Sequence, residues 1–179
     1  MSILVCGGAG YIGSHTVYKL IEQGKDVVIV DNLQSGHMGA VHPKAKFYKG
    51  DIRDAAILDK IFTENKIDTI FIFGGTNDSW IDAPIGNLKY SDWTVDELKC
   101  VLPAFCYLIN NAKKVVEDII VIINTDLKEE ITNGFIEACE KNEVKYLYLK
   151  EIDKENGHPT ELGMKQISKQ VMECLHKKI

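Results

Sequence analysis

No two of the five cysteines form a C-x-x-C pair, and an odd number spread over apolar stretches argues against a disulfide framework or a metal site. Cys6, Cys100, Cys106, Cys139 and Cys174 are expected to be reduced core thiols. No apolar run reaches the roughly 18 residues a membrane helix needs, so no membrane partner is expected. Residues 1–13 lead straight into a strand without a basic segment and cleavage site, which predicts a cytoplasmic protein or one expressed in a cytosol. A basic stripe is missing too. The net charge is −5, and Lys113-Lys114 and Lys177-Lys178 read as solvated helix ends, so no nucleic-acid partner is expected. Repeats and low-complexity tracts are absent.

What the 179 residues do contain is 45% hydrophobic content in alternating strand and helix patterns, enough for one α/β domain over 1–179. The most informative stretch runs Ile3-Leu4-Val5-Cys6-Gly7-Gly8-Ala9-Gly10-Tyr11-Ile12-Gly13. An apolar strand feeds into glycines that open a helical pattern, with Gly7, Gly10 and Gly13 spaced so that backbone N–H groups can approach a pyrophosphate without Cβ obstruction. The partial charge of a helix N-terminus favours such an anion. A second strand, Val27-Val28-Ile29-Val30, ends in Asp31, 18 positions past Gly13 and near the spacing of a ribose-binding acid. A carboxylate there accepts hydrogen bonds from ribose hydroxyls and repels a 2′-phosphate, and Asn32 rather than an arginine follows. The pattern predicts NAD over NADP. The alternative for Asp31 is a solvated strand end, and for the glycines a tight turn with no ligand.

The remaining periodicity predicts a strand at Phe47–Lys49, a helix from about Asp54 to Asn65, a strand at Ile67–Phe73 and a helix over Thr94–Lys113 interrupted by Pro103. Further on come a strand at Asp118–Asn124, a helix at Leu127–Lys141, a strand at Lys145–Leu149 and a last helix at Thr160–Lys177. Right-handed crossovers then give a Rossmann-like α/β/α sandwich with a parallel six-stranded sheet in the order 3-2-1-4-5-6. Its ligand crevice is expected beyond strands 1 and 4, faced by Gly7–Gly13 and Gly74–Asp78. The connection from Asp78 to Trp93 reads either as a lid or as a floppy surface loop anchored by Trp80 and Trp93.

From Ile3 to about Ile72, the segments Gly-Gly-Ala-Gly-Tyr-Ile-Gly-Ser-His-Thr, Val-Asp-Asn-Leu, Gly-Asp-Ile-Arg-Asp and Ile-Asp-Thr-Ile closely resemble the N-terminal half of UDP-glucose 4-epimerases, which are extended short-chain dehydrogenase/reductases. The resemblance implies that Tyr11 and Ile12 cover the pyrophosphate, Asp31 and Asn32 hold the adenosine ribose, and Asp51 with Ile52 recognises adenine. Otherwise Asp51 is an ordinary turn residue. The family's tyrosine and lysine, four positions apart on a helix, have no counterpart. Tyr146 and Lys150 have the spacing but sit in a strand pattern, which separates them by about 13 Å. With the chain ending at Ile179, epimerase activity is not expected.

Beyond that point, Gly74-Gly75-Thr76-Asn77-Asp78-Ser79-Trp80, Lys89-Tyr90-Ser91-Asp92-Trp93-Thr94, Ile123-Asn124-Thr125 and Gly157-His158-Pro159-Thr160 resemble the C-terminal half of SGNH (GDSL-type) hydrolases, a flavodoxin-like family. This resemblance makes Asn77 an oxyanion donor, His158 the general base and Glu155 its orienting carboxylate, with Asp153 as a substitute. Without it, His158 is the residue before a proline at a helix start. The family's nucleophilic serine follows the first strand, where this chain has Gly7-Gly8-Ala9, and Ser14 comes only inside the first helix. A base and an oxyanion donor without a nucleophile keep little of a triad's rate enhancement. The two resemblances divide the chain into residues 1–72 and 73–179 and meet near Ile67–Gly75. They predict a recombined or engineered chimera that binds NAD and lacks efficient catalysis, with a weak esterase or a ligand-free scaffold as alternatives.

Overall fold

The computed structural model describes residues 2–52 and 54–176. Arg53 and Lys177-Lys178, named above, lie outside the described residues. Six strands form one sheet: β1 (Ser2–Cys6), β2 (Asp26–Asp31), β3 (Lys46–Lys49), β4 (Thr69–Gly74), β5 (Asp118–Ile123) and β6 (Lys145–Tyr148). Their order is β3-β2-β1-β4-β5-β6, the one that right-handed crossovers predict. The pairs β1/β2, β1/β4, β2/β3 and β5/β6 are all parallel. The helices are α1 (Tyr11–Glu22), α2 (Ala55–Glu64), α3 (Thr76–Trp80), α4 (Val101–Ala112), α5 (Glu129–Lys141) and α6 (Glu161–His176).

The chain divides into two compact units, Met1–Phe71 with Ile152–Ile179, and Ile72–Glu151. The C-terminal segment thus groups with the first strands rather than with residues 73–151. In the first unit, Ile3, Val17, Leu20, Val27, Ile29 and Met172 form a buried cluster. β2 is buried at five successive positions, as expected of a parallel strand covered on both faces. In the second unit, β5 is likewise buried from Ile119 to Ile123, and the rings of Phe105 in α4 and Phe135 in α5 stack with centroids 3.8 Å apart.

Several expectations are corrected by local chemistry. The segment from Thr94 is a 3₁₀ turn at Glu97–Lys99 followed by α4, because Thr94 and Glu97 make a capping box: the Thr94 N–H and hydroxyl donate to Glu97 Oε2 at 2.7 and 2.9 Å. Pro103 sits in the first turn of α4, where its missing N–H costs nothing. The loop before it is tied down by hydrogen bonds at several points. Val101 and Leu102 donate to the carbonyls of Pro84 and Ile85 at 2.9 Å each, Trp93 Nε1 donates to the Lys89 carbonyl at 2.8 Å, and Lys89 grips both Glu97 oxygens at 2.7 and 2.8 Å. Residues 154–159 form a small antiparallel hairpin of β7 (Lys154–Glu155) and β8 (His158–Pro159). Asn156 and Gly157 turn it with φ of 50° and 80°, the left-handed pair of a type I′ turn.

Candidate functional site

The glycine turn after β1 is built by steric necessity. Gly7 has φ +74°, a Cβ at Gly13 would collide with the Gly7 carbonyl oxygen, and one at Gly8 would lie 2.8 Å from Ile29 Cγ2. Gly7 N–H donates to the Val30 carbonyl at 2.8 Å, and Gly10 N–H closes the turn onto the Gly7 carbonyl at 3.0 Å. Gly10 is the N-cap of α1 and offers no side-chain cap, and the first turn of α1 holds no acidic residue. The N-terminal end of this 12-residue helix is therefore left electropositive, with Tyr11 and Ile12 exposed beside it.

Asp31 closes β2 and is 7% exposed, so it is no solvated strand end. Its Oδ2 accepts from Ala9 N–H at 2.9 Å and its Oδ1 from Leu33 N–H at 2.8 Å. Asn32 is exposed, accepts from Gln34 N–H at 3.0 Å, and points its amide at Asp51 Oδ2 at 3.4 Å. Ile52 is 54% exposed. Gly7, Gly10, Tyr11, Ile12, Gly13, Asp31, Asn32, Asp51 and Ile52 all fall in the first unit.

Asn77 sits in α3 of the second unit with its side chain exposed. Its helix starts from Gly75 at φ +91°, and the neighbouring polar groups are engaged: Thr76 Oγ1 accepts from Asn124 Nδ2 at 2.9 Å, and Ser79 Oγ from Lys128 N–H at 3.2 Å. His158 and Glu155 belong to the first unit and are partners across the hairpin, both exposed. Asp153 is engaged elsewhere, accepting from the Thr160 hydroxyl while its N–H donates to Gln166 Oε1 at 2.7 Å. The hairpin, which sequence reasoning missed, was signalled by Asn156-Gly157, the strongest short-range hairpin dipeptide.

At the end of β1, just before Gly7-Gly8-Ala9, is Cys6. It is solvent-exposed, unlike the core thiol expected, yet crowding by surrounding atoms raises its thiol to about 11. A thiol held that high is not the thiolate that attacks carbonyls near neutrality. Ser14 Oγ donates to the Tyr11 carbonyl at 3.1 Å inside the first turn of α1. Tyr146 lies in β6, its hydroxyl 3.3 Å from Glu140 Oε1, and Lys150 follows beyond the strand. Among the described residues no group of three or more His, Cys, Asp or Glu could hold a metal ion, and no helix is long and apolar enough to cross a membrane.

Known proteins resemble the chain in two ways. The UDP-glucose 4-epimerase of Halalkalibacterium halodurans is 57% identical over 77 residues, covering 43% of this chain and 23% of that enzyme. The chain spans about a quarter of the length of such curated relatives. The epimerase of Bifidobacterium longum, solved in complex with NAD+ and UDP, superposes with a TM-score of 0.53 at 21% identity over 80% of this chain and 48% of that one, a likeness of fold. A Bacteroides uniformis protein described as a GDSL-like lipase superposes with a TM-score of 0.71 at 26% identity, over 97% of this chain and 94% of that one. The GDSL-like Lipase/Acylhydrolase family profile matches residues 15–175, beginning just after the glycine turn, and by that match the chain belongs to the GDSL-like lipase/acylhydrolase family.

Proposed function

We propose that this member of the hydrolase family is a recombined chain that binds NAD and does not transfer acyl groups efficiently. The observation that carries the reading is the turn Gly7–Gly13, with its left-handed Gly7, its Gly13 pressed on the Gly7 carbonyl and its uncapped α1. It lies within the first 14 residues, ahead of the stretch that the family match covers. A pyrophosphate fits the electropositive first turn of α1, where the absent side chain at Gly7 leaves open space for close approach and Gly13 lets α1 pack against the Gly7 carbonyl. Asp31 and Asn32 offer acceptors to the adenosine ribose, and Asp51 and Ile52 flank the adenine. Bound NAD would bring a hydride acceptor, but this chain's own residues supply binding and orientation only. Acyl transfer lacks its nucleophile, since Gly7-Gly8-Ala9 stands where the family's serine would and the Ser14 hydroxyl donates to a carbonyl of its own helix.

Ligand that binds only the folded chain raises its melting temperature by mass action. NAD at millimolar concentration is expected to stabilise the nucleotide-stripped protein more than NADP does. Equal or absent stabilisation by both contradicts the proposal.

A weak esterase is the second reading, favoured by the family match over 15–175 and by Glu155 and His158 facing each other across the hairpin. It predicts ester turnover that His158→Ala abolishes. Turnover unaffected by that substitution belongs to a contaminant.

A further inference from the structure

The exit of β2 and the glycine turn are joined more closely than ribose binding requires. Ala9 has both backbone groups taken: its N–H donates to Asp31 Oδ2 at 2.9 Å, and its carbonyl accepts from His37 N–H at 3.0 Å. Gly36 presses on the same residue, where an added Cβ would lie 2.8 Å from the Ala9 carbonyl carbon. Residue 33, a leucine with φ +60°, is a strained position for a branched side chain, and its N–H is held by Asp31 Oδ1 at 2.8 Å. A buried carboxylate thus fixes two backbone donors, one in the glycine turn and one just beyond β2.

We propose that Asp31 is a positioning residue for the anion-binding turn, acting through Ala9 on the pyrophosphate end of the site as well as on the ribose. The ligand side of this inference rests on the dinucleotide reading, whereas the clamp itself is present without ligand. Its consequence is a reversal of sign. A carboxylate close to a bound pyrophosphate repels it, so simple Coulomb reasoning has neutralisation of Asp31 tighten anion binding. As a clamp, the carboxylate is an acceptor at both oxygens, whereas an asparagine amide turns an –NH₂ toward one of the two N–H donors. The turn then loosens, and anion binding weakens although a negative charge has gone. For the same reason, a neutral residue at 31 loses NAD without gaining NADP.

The test compares the wild type with Asp31→Asn, using inorganic pyrophosphate, which has no ribose, alongside NAD in calorimetric titrations. Amide hydrogen exchange of the ligand-free proteins is followed at Ala9, Leu33 and Leu20. The expected results are a loss of pyrophosphate affinity of about tenfold or more, on the scale of one lost charge-assisted hydrogen bond, and exchange at Ala9 faster by about tenfold or more with Leu20, buried in α1, unchanged. Pyrophosphate affinity that holds or rises in the variant overturns the proposal. So does rapid exchange of both Ala9 and Leu33 in the wild type, a result that needs no variant to fold. If neither NAD nor pyrophosphate binds the wild type, the dinucleotide reading fails and the exchange measurement alone decides the clamp. A uniform rise at Ala9, Leu33 and Leu20 marks general destabilisation and contradicts a local positioning role.

Discussion

Two strand-to-helix corners, one after β1 and one after β4, start from the same device and end differently. Each begins at a left-handed glycine, Gly7 at φ +74° and Gly75 at φ +91°. After Gly7 the chain opens a 12-residue helix with no side-chain cap, and the bonds that brace the turn come from behind, through Asp31 and Val30. After Gly75 the helix has five residues, and its polar groups are drawn into the surrounding structure: Thr76 to Asn124 and Ser79 to the Lys128 backbone. Both helices start without a side-chain cap, but the first turn of α1 holds no acidic residue, whereas α3 carries Asp78 there and has its Thr76 and Ser79 hydroxyls tied to neighbouring structure. A glycine in the left-handed region is thus only a geometric licence. Which groups remain unsatisfied decides whether the corner can bind anything.

The comparison breaks hardest in the core beneath the second corner. Gly75 faces the edge of the Phe135 ring, with an added Cβ 3.0 Å from Cε2, and Phe135 is 4% exposed and stacked on Phe105. Phe135→Ala is expected to cost about 3–5 kcal/mol in denaturant unfolding, the range for a buried ring exchanged for a cavity. Gly13→Ala comes next, at about 3 kcal/mol, because its Cβ meets backbone that cannot rotate away. It also abolishes NAD binding, whereas Gly75→Ala destabilises through its φ and leaves NAD binding intact. Should the two glycine variants affect NAD alike, the functional distinction between the corners is wrong.

Asp31→Ala sharpens the contrast from the ligand side, with NAD affinity expected to fall by about 1.5–3 kcal/mol in calorimetry, the scale of charge-assisted hydrogen bonds. In the second unit, the Lys89 ammonium, with the Thr94 N–H and hydroxyl, holds the Glu97 carboxyl down at about 2. A carboxyl lowered on folding adds stability above its ordinary value of about 4.5, and that contribution disappears as pH falls toward 2. Loop 80–100 is therefore expected to gain amide exchange over that window in the wild type and to be loose already at neutral pH in Glu97→Gln. The smallest effect belongs to His158→Ala, an exposed hairpin residue whose loss should shift stability by within about 0.5 kcal/mol.

Legibility in the sequence followed the strength of periodic patterns. The buried strands, with Val27 to Val30 and Ile119 to Ile123 as near-continuous apolar runs, fixed the sheet order once right-handed crossovers were assumed. Asp54 was readable as the start of α2, and its side chain accepts from Ala56 N–H at 2.9 Å. Short elements held by local bonds were not readable. The five residues of α3 are too few to show a period, and nothing in the periodicity of the helix expected from Thr94 set apart the 3₁₀ turn at Glu97–Lys99. Asn156-Gly157 carried a hairpin signal that the two-residue strands around it were too short to reinforce. In the candidate site, the spacing from Gly13 to Asp31 was visible, but the burial of Asp31 and its bond to Ala9 follow from how residues 31–37 fold back, a tertiary fact with no sequence period.

The central claim is that the first corner forms a working dinucleotide site in a chain of hydrolase family. Calorimetric titration of the nucleotide-stripped protein with NAD and with NADP tests it most directly. Saturable heat with NAD and much weaker binding of NADP is the predicted result. No heat with either, or equal affinity for both, would contradict it.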